Sequence, residues 1–223
     1  MIKAIIFDFD GVLVDSNRFK REAWFEVFPE SEGITRGMIE EVLGRITQTR
    51  YDILREIFRI RGSAVGGADA FVEQYAKQYD ELVQKGMAAG MLVPEARGVL
   101  EFFAPRYRLY VNSATPETAL QDSVKMLGIV GYFDGVFGYR EAYGDATASK
   151  LENGKKILAL EKISGTEAAF VGDGEVDRAA AAELGCFFIG IPNSFNGWHA
   201  GAFLLAHDLR DVRDLVEEKN KGK

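Results

Sequence analysis

Three features of the sequence predict an α/β fold, a doubly wound parallel sheet interrupted by a small helical insertion. Short apolar runs without strict alternation recur at residues 3–8, 107–112, 168–172 and 186–191, as strands buried on both faces do. Helical patterns separate the later runs, which gives the strand, helix, strand rhythm of a parallel sheet. Residues 16–90 break that rhythm, because they hold no convincing buried strand and carry apolar side chains at helical spacing instead.

The first run, Ile2 to Phe7, is cut short by Asp8 and Asp10, too soon for a signal peptide. The insertion leaves after Asp15 and rejoins near Pro94, so the expected domains are a core of residues 1–15 and 91–223 and a helical cap of residues 16–90. Such a cap is expected to lie over the carboxyl end of the first strand like a lid. Phe71, Tyr75, Tyr79, Leu82 and Val83 mark one of its helices, and the glycine-rich stretch from Gly62 to Gly67 reads as a loop between helices. In the core, Thr115 is expected to cap a helix that opens at Pro116 and turns Ala119, Leu120, Val124 and Leu127 inward before Gly128. After the run at 168–172, the small-residue stripe Val176, Ala179, Ala180 and Leu184 predicts a helix packed closely on the sheet and ended by Gly185.

Composition narrows the function. The 223 residues are 47% hydrophobic, enough for one sizeable domain or a core carrying a smaller one. A net charge of −7 provides no broad field for polyanions, so no nucleic-acid partner is expected. The short basic run ending at Lys223 reads as a solvated, frayed tail. No apolar stretch reaches transmembrane length, so no membrane partner is expected either. The single cysteine, Cys186, excludes an intramolecular disulfide and fits a reducing cytoplasmic setting, and its apolar neighbours make it core filler. His199 and His207 lie late in the chain, far from any nucleophile-like turn, which disfavours a Ser/His/Asp arrangement. The sequence carries no signal of an oligomeric state.

Four sites carry chemistry. Asp8-Phe9-Asp10-Gly11 places two carboxylates two residues apart where a buried strand runs out, facing one side, with Gly11 to turn the chain. Two charges that close to apolar residues are costly unless a cation or proton compensates them, and Mg2+, with its oxygen ligands, would do so. Gly172-Asp173-Gly174-Glu175-Val176-Asp177 repeats the arrangement, a strand ending in acids before a helix. Either pair alone is equally well a helix cap or turn former; both at strand ends are harder to dismiss. Asn112-Ser113-Ala114 closes another strand, and the amides that follow open a helix, a ready anion site or a simple cap. Lys150 is a lone cation after a loop, by default a solvated surface lysine.

In this order the four sites resemble the motifs of the haloacid dehalogenase superfamily, over nearly the whole chain. The residues from Asp8 to Ser16 look like its first motif, Ser113 its second, Lys150 its third and the residues from Gly172 to Asp177 its fourth. The helical insertion is similar to the family's small α-helical cap on a Rossmann-like core. The pattern is nearest the phosphoglycolate phosphatase and β-phosphoglucomutase branches. Leu151 stands where the family often has proline after its lysine, and Lys155 and Lys156 compete for that role. Lys150 has the better spacing to the helix around Ala159 and Leu160 and to Asp173.

The resemblance implies a Mg2+-dependent phosphatase acting on a small phosphate ester. Asp8 would be the nucleophile, Asp10 the general acid and base, and Ser113 and Lys150 the groups on the phosphoryl oxygens. Mg2+ would be held by Asp8, the Asp10 carbonyl and Asp173, with Asp177 bound directly or through water. Gly11, Asn112, Ala114 and, from the cap, Arg45 are further candidates for substrate contact. A dehalogenase ordinarily lacks the carboxylate that Asp10 supplies. The alternatives are a sugar phosphomutase on the same fold and, from another class, a non-enzymatic phospho-accepting switch.

Overall fold

A computed structural model describes residues 1–46, 49–62, 67–87, 92–192, 198, 201 and 203–222. The chain divides into two compact units, Met1–Asp15 with Met91–Lys223, and Ser16–Gly90. Among the described residues, no helix is long and apolar enough to cross a membrane.

The first unit is built on six parallel strands: β1 (Ala4–Phe7), β2 (Arg108–Pro116), β3 (Gly135–Tyr139), β4 (Ala168–Gly172), β5 (Phe187–Gly190) and β6 (Leu204–Leu205). Their order across the sheet is β3-β2-β1-β4-β5-β6. The chain therefore steps outward from β1 to β3, returns to lay β4 beside β1, and steps outward the other way. That reversal between β1 and β4 is where an open parallel sheet leaves a crevice at its carboxyl edge. Helices α1 (Asn17–Glu26), α2 (Arg36–Arg45), α3 (Arg50–Ile60) and α4 (Ala68–Met87) belong to the second unit. Helices α5 (Ala96–Phe103), α6 (Glu117–Met126), α7 (Ala146–Glu161), α8 (Glu175–Leu184) and α9 (Leu209–Lys221) belong to the first.

The registers pair Ile6 with Tyr110 and with Phe170. These three side chains, with Phe137, form a core that Ile157 of α7 and Ala180 and Ala181 of α8 close. The small side chains of α8 let it lie near the sheet and against α7. Cys186 packs on this cluster, where burial pushes its thiol up to about 12, so it is inert filler as the sequence suggested.

Strand β3 has no counterpart among the apolar runs. Its sequence, Gly-Val-Phe-Gly-Tyr, is weakened by two glycines that the packing requires, since a Cβ on Gly138 would overlap the backbone of Glu117. The two-residue strand β6 is too short to show a pattern. The basic C-terminal run also differs from expectation. It is helical to Lys221, because Asp208 caps α9 and Asn220 bridges the Ile2 main chain and the Tyr107 hydroxyl.

The second unit packs Trp24 on Tyr79 at a ring separation of 4.1 Å and groups Phe28, Phe58, Phe71 and Tyr75 in one aromatic cluster. Glu32 accepts from the Tyr75 hydroxyl at 2.9 Å and pairs with Arg61. Most of the Gly62 to Gly67 loop lies outside the described residues.

Gly138→Ala should cost about 1–3 kcal/mol by overpacking. Gly98→Ala, in α5 with open space around it, should be neutral or add about 0.5–1 kcal/mol. Urea unfolding of both variants checks the contrast, and equal stability of the two would contradict the packing at β3.

Candidate active site

Asp8 stands one residue beyond β1, where its N–H still donates to the Val171 carbonyl at 2.8 Å and holds it in the ladder with β4. Side chains alternate along a strand, so Asp8 faces the same side as Ile6, toward α7 and α8. There Lys150 Nζ lies 2.9 Å from Asp8 Oδ1 and also bonds Asp177 Oδ1. Lys150 sits in the second turn of α7 and Asp177 in the first turn of α8. The other oxygen of Asp177 accepts from Gly174 N at 3.0 Å. A Cβ on Gly172 would overlap the Asp177 side chain, so glycine is needed for this acid to press against the end of β4.

Asp173 follows β4 directly. Asp8, Asp173 and Asp177 are 6%, 9% and 1% exposed, and each offers an oxygen within 4.8 Å of the others. Among the described residues, three buried carboxylates thus lie close together with the Lys150 ammonium bridging two of them, in a dry place. Burial first, and then the Asp177 carboxylate, push Asp8 well above the usual carboxylate range, against the pull of Lys150. Burial alone would depress the Lys150 ammonium, but Asp177 and Asp8 outweigh it and the net shift is upward. An all-oxygen set of buried acids suits a hard divalent cation.

Asp10 belongs to a second branch. Gly11 adopts φ +78°, a left-handed conformation that glycine allows without cost, and its N–H donates to the Val14 carbonyl at 2.9 Å. On the turn so formed, Asp10 Oδ2 accepts from the Thr115 hydroxyl at 2.7 Å, while Thr115 N donates to Ser113 Oγ at 3.1 Å. Ser113 is buried, and the Thr115 that bonds it also bonds Asp10. Thr115 is therefore no helix cap. Strand β2 runs on to Pro116, paired with Tyr139, and α6 opens at Glu117, because proline disfavours the helical region for the residue before it. The signal for Thr115 was present in the sequence: a hydroxyl two residues after Ser113 stands on the same side of an extended strand.

The remaining candidates separate. The Asn112 side chain is fully buried and donates to the main-chain carbonyl of Lys150 at 2.8 Å, so its amide is committed inside the fold. Ala114 is half-buried at the end of β2. Arg45 pairs with Glu41 at 3.3 Å and Glu56 at 2.5 Å within its own unit. Lys155 pairs with Glu152, and Lys156 lies over the Phe137 ring, so of the three competing lysines only Lys150 stands among the acids.

Carboxylates at the carboxyl ends of the first and fourth strands of a parallel sheet, bridged by one buried lysine, fit the hydrolases whose motifs the sequence resembles. The chain matches the family of haloacid dehalogenase-like hydrolases over residues 2–185 and belongs to it. It is 27% identical over 171 residues to the phosphorylated carbohydrates phosphatase of Thermotoga maritima, covering 73% of this chain and 71% of that protein. Among solved structures it resembles a predicted phosphoglycolate phosphatase from Haemophilus somnus, with a TM-score of 0.75 at 16% identity over 96% of this chain and 98% of the other. It also resembles the β-phosphoglucomutase of Clostridium difficile, with a TM-score of 0.72 at 19% identity over 99% and 98% of the two chains.

A raised pKa means that folded Asp8 holds a proton more tightly than unfolded Asp8 does. That stabilisation is complete below the ordinary carboxylate pKa and is lost as pH rises through the raised value. Mg2+ should therefore raise the melting temperature more at pH 7.5 than at pH 5. At a hundredfold excess over Kd the gain at pH 7.5 should be about 2.7 kcal/mol, or roughly 5–10 °C. Asp173→Asn should remove most of it. Thermal melts with Mg2+ and with chelator decide, and an equal gain in the variant would contradict a shared site.

Proposed function

We propose that this chain is a Mg2+-dependent phosphatase that hydrolyses a small phosphomonoester through an aspartyl phosphate on Asp8. The observation that carries it is the Lys150 ammonium held 2.9 Å from Asp8 inside a buried group of acids, with a second carboxylate, Asp10, on a separate hydrogen-bonded branch. Two acids in different surroundings can hold different protonation states, as a nucleophile and a proton donor must. The name of the Thermotoga maritima relative supports phosphorylated carbohydrates as the substrate class.

In this mechanism a carboxylate oxygen of Asp8 bonds to phosphorus as the ester P–O bond breaks, and Asp10 gives its proton to the departing alcohol oxygen. Asp10 then takes a proton from a water molecule that attacks phosphorus, the Asp8–phosphate bond breaks, and inorganic phosphate leaves. Lys150 and Ser113 steady the charge on the phosphoryl oxygens. Asp8, the Asp10 carbonyl and Asp173 would hold Mg2+, which supplies charge neutralisation when bound. Asp177, with one oxygen on Lys150 and the other on Gly174, would act from behind them. Residues 16–90 would be the cap that selects the substrate, and a cytoplasmic location suits the lone thiol of Cys186.

Asp8→Asn should lower kcat on a generic phosphate ester by more than about 10³-fold and abolish labelling of the protein by the transferred phosphoryl group. Full activity of that variant, or activity indifferent to a chelator, would refute the mechanism. Release of inorganic phosphate from sugar phosphates marks hydrolysis; a rearranged sugar phosphate would mark a mutase, and labelling without turnover a switch.

A further inference from the structure

Lys150 occupies an unusual place for a charge-bearing side chain, five residues into a helix and almost wholly buried. A residue placed mid-helix can meet Asp8 only if the whole helix is held in one register against the sheet. Three buried contacts do this. At the α8 side, Gly154 allows close approach, since a Cβ there would overlap Leu184. At the sheet side, Asn112 of β2 donates to the Lys150 carbonyl at 2.8 Å, using the second lone pair that a helical carbonyl retains. Asn153, one turn on, donates to Asn112 Oδ1 at 3.2 Å and to the Gly138 carbonyl of β3 at 2.9 Å.

Both amides are costly where they stand. Asn112 and Asn153 are 0% and 1% exposed, and Asn153 Oδ1 is buried with no hydrogen-bond partner among the described residues. Leucine at both positions together would fill the space without either amide, so stability alone does not explain them. The alternation of β2 directs Asn112 to the same face as Tyr110, beneath α7, and Asp8 lies on that face of the neighbouring strand. We infer that Asn112 and Asn153 are positioning residues that set the register of α7 on the sheet and so deliver the Lys150 ammonium to Asp8. The inference rests on the proposed role of Lys150 in phosphoryl transfer, where a displacement of about 1 Å can cost about 10²-fold in rate.

The paired variant Asn112→Leu/Asn153→Leu should keep the melting temperature within a few degrees, because neither amide is left without the other, yet lower kcat on a sugar phosphate about 10- to 100-fold with KM within about twofold. Asn153→Leu alone should lower kcat as much and melt lower, since Asn112 Oδ1 loses its donor. Asn112→Leu should do the same to kcat, and Asn112→Ser is the fallback should leucine fail to fold. In a double-mutant cycle, adding Asn153→Leu to Lys150→Ala should cost less than about twofold beyond Lys150→Ala alone. A crystal structure of the Asn153→Leu protein should show Lys150 Nζ outside hydrogen-bond reach of Asp8. Wild-type kcat in these variants, a full additional loss in the Lys150→Ala background, or an unmoved Nζ would overturn the inference. An inactive wild-type protein would instead overturn the proposed function, and the position of Nζ would still decide the role of the two asparagines.

Discussion

One electrostatic constraint shapes this molecule: three carboxylates are brought out of water within a few ångströms of each other, and the Lys150 ammonium is buried with them. In water such a cluster would be of little consequence, but in a low-dielectric interior each unpaired charge is expensive. The fold tolerates it because Lys150 bridges two of the acids and Gly174 N–H satisfies the free oxygen of one of them. A buried set of oxygen donors of this kind suits a hard cation.

The scaffold provides the geometry that such a cluster demands. Parallel strands bring all their carboxyl ends to one edge, and the reversal of direction between β1 and β4 sets Asp8 beside the turn that carries Asp173. Glycines appear where backbone or acid must approach closely: Gly172 under Asp177, Gly154 under Leu184, Gly138 against Glu117. At each a methyl group would overlap the neighbour named, and at Gly138 that neighbour is backbone.

Much of this was legible in the residues. Strands β1, β4 and β5 and the middle of β2 are apolar runs, and acids at the ends of β1 and β4 stand out because charge is seldom buried without a partner. What escaped was encoded in contacts between distant segments. Strand β3 is disguised by the glycines that Glu117 imposes. Thr115 carries the composition of a helix cap, and only the continuation of β2 to Pro116 shows that its hydroxyl serves Asp10. The bond from Asn112 of β2 to the Lys150 carbonyl of α7 is a tertiary fact that no local pattern shows. The C-terminal lysines have the composition of a tail, and the cap at Asp208 with the docking of Asn220 makes them a helix.

The most direct test is to locate the cation. Crystals soaked in Mn2+ should give one strong anomalous peak in the core, within bonding distance of carboxylate oxygens of Asp8 and Asp173 and lost in Asp173→Asn. A peak remote from both acids, or none at millimolar Mn2+, would contradict the claim that these buried charges form a single cation site.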